Sequence, residues 1–354
     1  PDSARHDPNP APPVRGFCFL ASFFRMTDSL RPVPSISCVV PAYNEARHLP
    51  EVLPAILAAL QALSPRVELI VVDDGSRDDT ASVIDALAGC DPAIIGLSLS
   101  RNFGKEAALT AGLDAASGEV TVIMDADGQH PVALLEPMVR LWREGMDVVY
   151  AVRQSRDDQS ALQERLTNLF YRLINWGTAV EIPANAGDFR LMGRPVVQAL
   201  KAMPERNRFM KGLYAWVGFK STALAYDPLP RLSGRSRFGW KGAFSLAVTG
   251  IAAFSSAPLR ALAALGLAIS LAAFGYGAWV IVEYLFFGIA VPGYATIVAG
   301  MMLLAGIQLL GMGVIAEYVA RIYDEVKQRP AYFVRNRVGQ GLAGAATPPD
   351  TGER

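Results

Sequence analysis

Val120-Thr121-Val122-Ile123-Met124-Asp125-Ala126-Asp127-Gly128-Gln129 runs an apolar stretch directly into two carboxylates and an amide. A short run of apolar and β-branched residues closed by Asp and Gly reads as a buried strand that ends in a polar turn. Outward from it, similar runs near 36–40, 67–72, 94–99 and 147–152 alternate with helical patterns at about 46–62, 78–88, 104–116 and 132–144. This βαβ rhythm, with strands apolar on both faces, predicts an α/β fold: a mostly parallel sheet with helices on both faces. Such sheets bind ligands at the C-terminal ends of their strands, which is where Asp125 to Gln129 fall.

Side chains two apart on an extended chain face the same way, so Asp125 and Asp127 can converge on one hard cation, with Gln129 adding a neutral oxygen. Mg²⁺ or Mn²⁺ holding a diphosphate fits this set; an ordinary polar turn is the competing reading. Two further strand ends carry chemistry. Pro41-Ala42-Tyr43-Asn44-Glu45 supplies a rigid turn, an aromatic ring and a carboxylate, against which a planar base can lodge. Asp73-Asp74-Gly75-Ser76 offers carboxylates able to accept hydrogen bonds from a pyrimidine imide or a ribose hydroxyl. Asp78 and Asp79 can equally cap the helix that follows.

Of the 354 residues 51% are apolar, and Lys plus Arg equal Asp plus Glu at 33 each. The balance gives no general attraction to nucleic acid or to anionic surfaces. Cys18, Cys38 and Cys90 are widely spaced, with no Cys-x-x-Cys and only three histidines, a pattern that argues against a disulfide framework or a zinc site. Residues 1–34 are rich in Pro and Arg, with an apolar stretch too short to span a bilayer, and read as a disordered N-terminal tail; Met26 is a candidate start residue.

The character changes at Pro258. Ala261–Val282 and Tyr294–Ala316 are uncharged apolar runs of 22 and 23 residues, each enough to cross a hydrocarbon core that takes roughly 20. Buried helices of a large soluble core are the alternative. The connector Glu283–Gly293 lacks Lys and Arg, whereas Arg231, Arg235, Arg237, Lys241 and Arg260 precede the pair and Arg321, Lys327, Arg329, Arg335 and Arg337 follow it. By the positive-inside rule both termini are cytoplasmic. Between 238 and 256, Trp240, Phe244, Val248 and Ile251 recur at helical spacing beside basic residues, as in an interfacial helix or one packed on the sheet domain. Ala161–Trp176 is amphipathic too and reads as core packing. Gly300, Gly306, Gly311 and Gly313 would permit close helix packing. The expected division is a 1–34 tail, a 35–230 catalytic domain, a 231–257 juxtamembrane segment, two spans within 258–320 at about 261–284 and 294–317, and a 321–354 cytoplasmic tail.

Pro41-Ala42-Tyr43-Asn44-Glu45, Asp73-Asp74-Gly75-Ser76, Asn102-Phe103-Gly104-Lys105 and Asp125-Ala126-Asp127-Gly128-Gln129 together resemble the family 2 glycosyltransferases of the Rossmann-like GT-A fold. Gly187-Asp188-Phe189-Arg190, the basic Ser233-Gly234-Arg235-Ser236-Arg237-Phe238 segment, the two spans and Glu317-Tyr318-Val319-Ala320-Arg321-Ile322-Tyr323-Asp324-Glu325 are similar to bacterial polyisoprenyl-phosphate sugar transferases and dolichol-phosphate mannose synthases. The resemblance covers about 35–338. It implies inverting transfer of one sugar from a nucleotide diphosphate, by preference uridine-linked, to undecaprenyl phosphate at the cytoplasmic face of the inner membrane. Cell-envelope biogenesis and a homo-oligomer, by resemblance a tetramer, go with it.

The roles so implied are specific. Pro41, Tyr43, Glu45 and Asp73 hold the nucleoside, with Asp74 a neighbour or helix cap. Asp125, Asp127 and Gln129 hold Mg²⁺ or Mn²⁺ on the donor phosphates. Arg101 and Lys105 touch the diphosphate, Lys105 alternatively being a solvated helix-start residue. Arg153, Arg190, Arg237 and, more weakly, Arg235 surround the acceptor phosphate; at position 237 the resemblance leads one to expect lysine. Asp188 orients the sugar or assists the acceptor, or else pairs with Arg190. A processive polysaccharide synthase would need more spans and a Gln-x-x-Arg-Trp motif that this sequence lacks, and a non-catalytic membrane scaffold would not need Asp125, Asp127 and Asp188 intact.

Overall fold

The computed structural model describes residues 30–153, 186–206, 208–227, 257–287 and 293–342. Arg235, Arg237 and the stretches 161–176 and 238–256 lie outside the described residues. Strands β1 (Ile36–Ala42), β2 (Val67–Asp73), β3 (Ile94–Leu99) and β4 (Val120–Ile123) alternate with helices α1 (Leu49–Leu63), α2 (Thr80–Cys90) and α3 (Lys105–Ala115). Helix α4 (Leu135–Arg143), β5 (Val148–Arg153), β6 (Ala186–Gly193), α5 (Arg194–Ala202), α6 (Met210–Trp216) and β7 (Ser221–Tyr226) follow. Two long helices, α7 (Ala257–Phe287) and α8 (Tyr294–Lys327), precede a last strand, β8 (Val334–Val338).

One sheet runs in the order β7-β5-β6-β4-β1-β2-β3-β8. The centre, β4-β1-β2-β3, is parallel, whereas β6 inserts antiparallel between β4 and β5 and β8 is antiparallel to β3. Alternate side chains of β1 divide the core. Cys38 and Val40 pack with α1, α2 and α4, and Val39 packs with α3, α5 and α6. Burial of each such Val, Leu or Ile contributes about 1.5–3 kcal/mol. Helix α3 lies so close to the sheet that a Cβ on Gly112 would sit 2.2 Å from Val39 Cγ1, so a larger residue there would have to displace the buried Val39 side chain.

The parallel order reverses between β1 and β4, the topological switch point at which ligands enter such sheets. The expected α/β sheet with helices on both faces is what the chain forms. Two margins differ from the expected tails. Residues 30–34 are held to the domain: Arg31 exchanges backbone and side-chain hydrogen bonds with Arg143 and donates to Met146 O and Asp147. At the other end β8 joins the sheet beyond β3, Tyr332 Oη donates to Asp114 at 2.8 Å, and Leu342 N–H donates to the buried Glu68 carboxylate at 2.9 Å. Val-Arg-Asn-Arg-Val escapes strand recognition because an edge strand buries little and tolerates cations that discourage pairing with other chains.

Helices α7 and α8 rise about 46 and 51 Å at 1.5 Å per residue, longer than a hydrocarbon core of about 30 Å. Each contains a window long and apolar enough to cross a membrane, and those windows are 0% and 6% buried within the protein. Leaving Phe274, Trp279, Leu303 and Leu309 in water would waste the burial that a bilayer supplies. Of the four glycines expected to allow close packing, Gly311 meets the partner helix, its would-be Cβ lying 3.2 Å from Leu262, whereas positions 300, 306 and 313 face open space.

Candidate active site

The loops after β1 and β2 are stitched together at the sheet rim. Asn44, at φ 54°, donates its N–H to Ser76 Oγ at 2.9 Å, and its Oδ1 accepts from Arg77 N–H at 2.8 Å. Gly75 turns at φ 63° under the Arg101 backbone, where a Cβ would lie 2.3 Å from the Arg101 carbonyl carbon. Asp73 is buried; its Oδ1 accepts from Ser76 N–H at 2.9 Å, and its Oδ2 has no hydrogen-bond partner among the described residues. Ala42 is its neighbour on β1, flanked along the chain by half-buried Pro41 and Tyr43, and the Glu45 carboxylate meets His48 Nδ1 at 2.6 Å.

Asp74 acts differently from its neighbour. Its two oxygens take the backbone N–H groups of Phe103 and Gly104 at 2.7 and 2.9 Å, holding the entry to α3. Burial raises its pKa, and those two donors partly oppose the rise. Asp74 thus fastens the loop into α3, whose N-cap position is Gly104, and not the helix that follows β2. At the head of α2 it is Asp78, not Asp79, that binds the backbone, accepting from Thr80 N–H and Oγ1. Arg101 is exposed, its guanidinium 4.1 Å from the Phe103 ring centroid.

After β4 the chain turns through Gly128 at φ 71°, and Asp127 Oδ1 accepts from Gln129 N–H at 3.1 Å. Asp125 N–H donates to His130 Nδ1 at 3.1 Å. That bond assigns the His130 proton to Nε2, which lies 3.9 Å from Asp125 Oδ2. Burial lowers the His130 pKa despite the carboxylates nearby, and its ring stacks on Phe189 at 4.7 Å. Arg153, at the end of β5, donates to Gln129 Oε1 at 3.3 Å and to Tyr226 Oη at 3.4 Å. The turn is thereby tied to the opposite half of the sheet.

Lys105, the first residue of α3, joins the two halves. Its Nζ lies 2.6 Å from Asp125 Oδ1 and 2.7 Å from Asp188 Oδ2 on β6. Burial opposes charge on all three groups, but their mutual attraction prevails: Lys105 is raised above the usual ammonium range, and Asp125 and Asp188 are held below the usual carboxylate range. The ammonium thus bridges two carboxylates from a side chain that stays partly exposed, and the ion-pair partner of Asp188 is Lys105.

Arg190 shares a strand face with Asp188, two residues away. It is buried, with its guanidinium carbon 3.5 Å from the Tyr214 ring centroid and one nitrogen donating to Gly187 O at 2.7 Å. Beside Lys105, the Glu106 carboxylate accepts from Met210 N–H at 3.0 Å; burial and the nearby Asp188 push it up to about 7. Glu106, His130 and Tyr214 were not singled out in the sequence. The first two adjoin residues that were, so proximity was a usable signal; Tyr214 arrives from a separate helix with no local mark.

Among the described residues no group of three or more His, Cys, Asp or Glu side chains converges as a metal cage. The donor set of Asp125, Asp127 and Gln129 suits instead a hard cation of the Mg²⁺ kind, which takes one or two carboxylates and completes its shell with water and phosphate.

The family model described as Glycosyl transferase family 2 matches residues 37–200, and one described as GtrB C-terminal hairpin matches 257–322. The bactoprenol glucosyl transferase of Shigella phage SfV is 43% identical over 303 residues, 85% of this chain and 98% of the relative. A prophage bactoprenol glucosyl transferase homolog of Escherichia coli (strain K12) is 42% identical over 301 residues, 85% and 98% of the two chains. An uncharacterized glycosyltransferase of Synechocystis sp. is 42% identical over 304 residues, 86% and 96%.

Proposed function

Because the chain belongs to the family 2 glycosyltransferases, we propose that it transfers a single sugar from a nucleoside diphosphate to a polyprenyl phosphate at a membrane surface. The observation that carries this reading is the meeting of Asp125, Asp188 and Lys105 at the C-terminal rim of a sheet whose edge strand β8 continues a membrane-length helix. A soluble donor can diffuse to that rim. A lipid phosphate cannot leave the bilayer, so the rim must be held at it.

The reaction forms a bond from an acceptor phosphate oxygen to the anomeric carbon and breaks the bond from that carbon to the donor diphosphate, inverting the centre. The phosphate oxygen is already anionic near neutral pH, so positioning and charge compensation outweigh general-base catalysis. Asp188, kept ionised by Lys105, presents a carboxylate to the sugar, orienting its hydroxyls and opposing positive charge that grows at the anomeric carbon. Lys105 places positive charge where negative charge develops on the departing diphosphate. Asp125, Asp127 and Gln129 would hold Mg²⁺ or Mn²⁺, which when bound supplies Lewis-acid stabilisation of that same leaving group.

Asp73 Oδ2, a buried acceptor, suits the imide N–H of a uracil, with Tyr43 and Pro41 beside the ring and Glu45 and Arg101 at the rim. A uridine-linked hexose is the donor we favour. Arg153 is the described cation best placed to receive the acceptor phosphate, being half-buried and next to the Asp127 turn. Arg190 lies too deep to meet a lipid headgroup without movement and supports Asp188 from below; Arg235 and Arg237 are proposed to join Arg153. Because β8 pairs with β3, the chain beyond α8 lies on the same side as the catalytic sheet, consistent with a hairpin that crosses the bilayer twice and leaves the catalytic rim cytoplasmic.

The test is to incubate the full chain in bilayer nanodiscs with undecaprenyl phosphate, Mn²⁺ and a panel of uridine and guanosine diphosphate sugars, and to weigh the lipid product. One added sugar supports the reading. A polymer would establish a processive synthase, and no lipid product with any donor would refute transfer.

A further inference from the structure

The last turn of α8 carries Glu325, whose Oε1 and Oε2 both accept the backbone N–H of Arg206, at 2.9 and 3.1 Å. The helix dipole does not favour an acidic residue there, because its C-terminal end is negative. Its partner lies in the short segment between α5 and α6. That segment is tied to itself as well, since Arg208 donates to Glu205 O at 3.1 Å and to Met203 O at 2.8 Å, and Pro204 stiffens it. At its far end Met210, the first residue of α6, gives its backbone N–H to Glu106 Oε2 at 3.0 Å. Glu106 adjoins Lys105, which bridges Asp125 and Asp188, and α6 also supplies the Tyr214 ring beneath Arg190. A second tie, β8 on β3 with Tyr332 on Asp114 of α3, pins the same end of α8 to the sheet.

Resting on the reading of a lipid-phosphate acceptor, we propose that Glu325 is a positioning residue. Its carboxylate fastens the end of the membrane helix to the Arg206 backbone between α5 and α6 and so sets the placement of α6, Glu106 and the Lys105–Asp188 pair relative to the bilayer. The nucleoside end of the site, built on β1 and β2, meets this chain of contacts through Asp74, which holds the entry to α3. Loss of the tie therefore impairs reaction with the membrane-bound acceptor far more than it weakens binding of the nucleoside diphosphate. Misplacing reacting groups by about 1 Å costs about a hundredfold in rate, so even a small slackening is measurable.

The experiment uses the full chain in nanodiscs, with undecaprenyl phosphate as acceptor and UDP with Mn²⁺ as the binding probe. Glu325→Ala is expected to lower kcat by about 10- to 100-fold while the affinity for UDP stays within about twofold and the melting temperature is held. Glu325→Gln, whose amide oxygen still accepts from Arg206, restores most of the rate, and Asp324→Ala, which removes an exposed charge one residue earlier, behaves as wild type. Amide hydrogen exchange quickens at Arg206 and Met210 in Glu325→Ala. Wild-type kcat in Glu325→Ala, or a joint fall in kcat, UDP affinity and melting temperature, overturns the proposal. If the wild-type chain itself transfers no sugar to the lipid, the functional reading has failed; the exchange rates then decide the tie alone, and unchanged protection at Arg206 and Met210 overturns it.

Discussion

Replacing Lys105 by Ala removes the one cation that the described structure places between Asp125 and Asp188. With Nζ 2.6 and 2.7 Å from their oxygens, those oxygens are at most about 5 Å apart, and two unit charges at that separation repel by about 3 kcal/mol at an effective dielectric of about 20. The Lys105 side chain is 43% exposed, so solvent screening brings the cost down to about 1–2 kcal/mol. The wild-type carboxylates have folded-state pKa values below their unfolded ones, so the stability they contribute is present above the ordinary carboxylate range and is lost as pH falls through the depressed values. In Lys105→Ala the order is inverted: one carboxyl takes up a proton more readily, and stability declines as pH rises above about 4. Thermal melts between pH 4 and 8 should show this, and Asp188→Asn added to Lys105→Ala should recover most of the loss. Sugar transfer by Lys105→Ala should fall by about a hundredfold or more, with the acid limb of its pH profile moved upward. Turnover within about threefold of wild type, with an unmoved acid limb, would refute the assignment of Lys105 as the bridge that keeps Asp188 ionised.

Chelation should stop transfer and added Mn²⁺ should restore the wild type, whereas Asp127→Ala should remain about a hundredfold down at saturating Mn²⁺, as read by lipid-product formation. Glu106 has a folded pKa raised to about 7, so its contribution is fully present below the unfolded value and disappears as pH rises through 7. Denaturant melts of the wild type should therefore lose on the order of 1–3 kcal/mol between about pH 5 and 8, and Glu106→Gln should flatten that slope. Gly75→Ala forces a side chain into the Arg101 backbone at φ 63° and should cost about 1–3 kcal/mol in the same melts, with weakened UDP binding measured by calorimetry.

Much of the fold was legible because its signals are local. Strands β1 to β5 each show as short apolar runs, and α1 to α4 as periodic stretches between them, since a strand covered on both faces has to be apolar throughout. Strand β6 was not recognised: Gly187-Asp188-Phe189-Arg190 looks like a loop, and its strand pairing with β4 and β5 comes from partners distant in sequence. The same holds for β8, whose arginines tell of an exposed edge and not of a core. Within the site, Asp125, Asp127 and Gln129 stood out by spacing, and Asp73 and Asp74 by their place at a strand end. That Asp73 keeps a buried oxygen unpartnered while Asp74 binds two backbone N–H groups is a matter of where α3 begins in space.

By itself the sequence determined strands β1 to β5, the acidic rim and the two membrane-length helices, because hydrophobic period and run length are properties of neighbouring residues. Tertiary structure alone decided that Lys105 meets Asp125 and Asp188, that Arg190 lies over the Tyr214 ring, and that the end of α8 returns to the sheet through Glu325 and β8. Each of these joins residues brought together only by packing, and an ion pair or an edge-strand hydrogen bond leaves no periodic trace in either partner's local sequence.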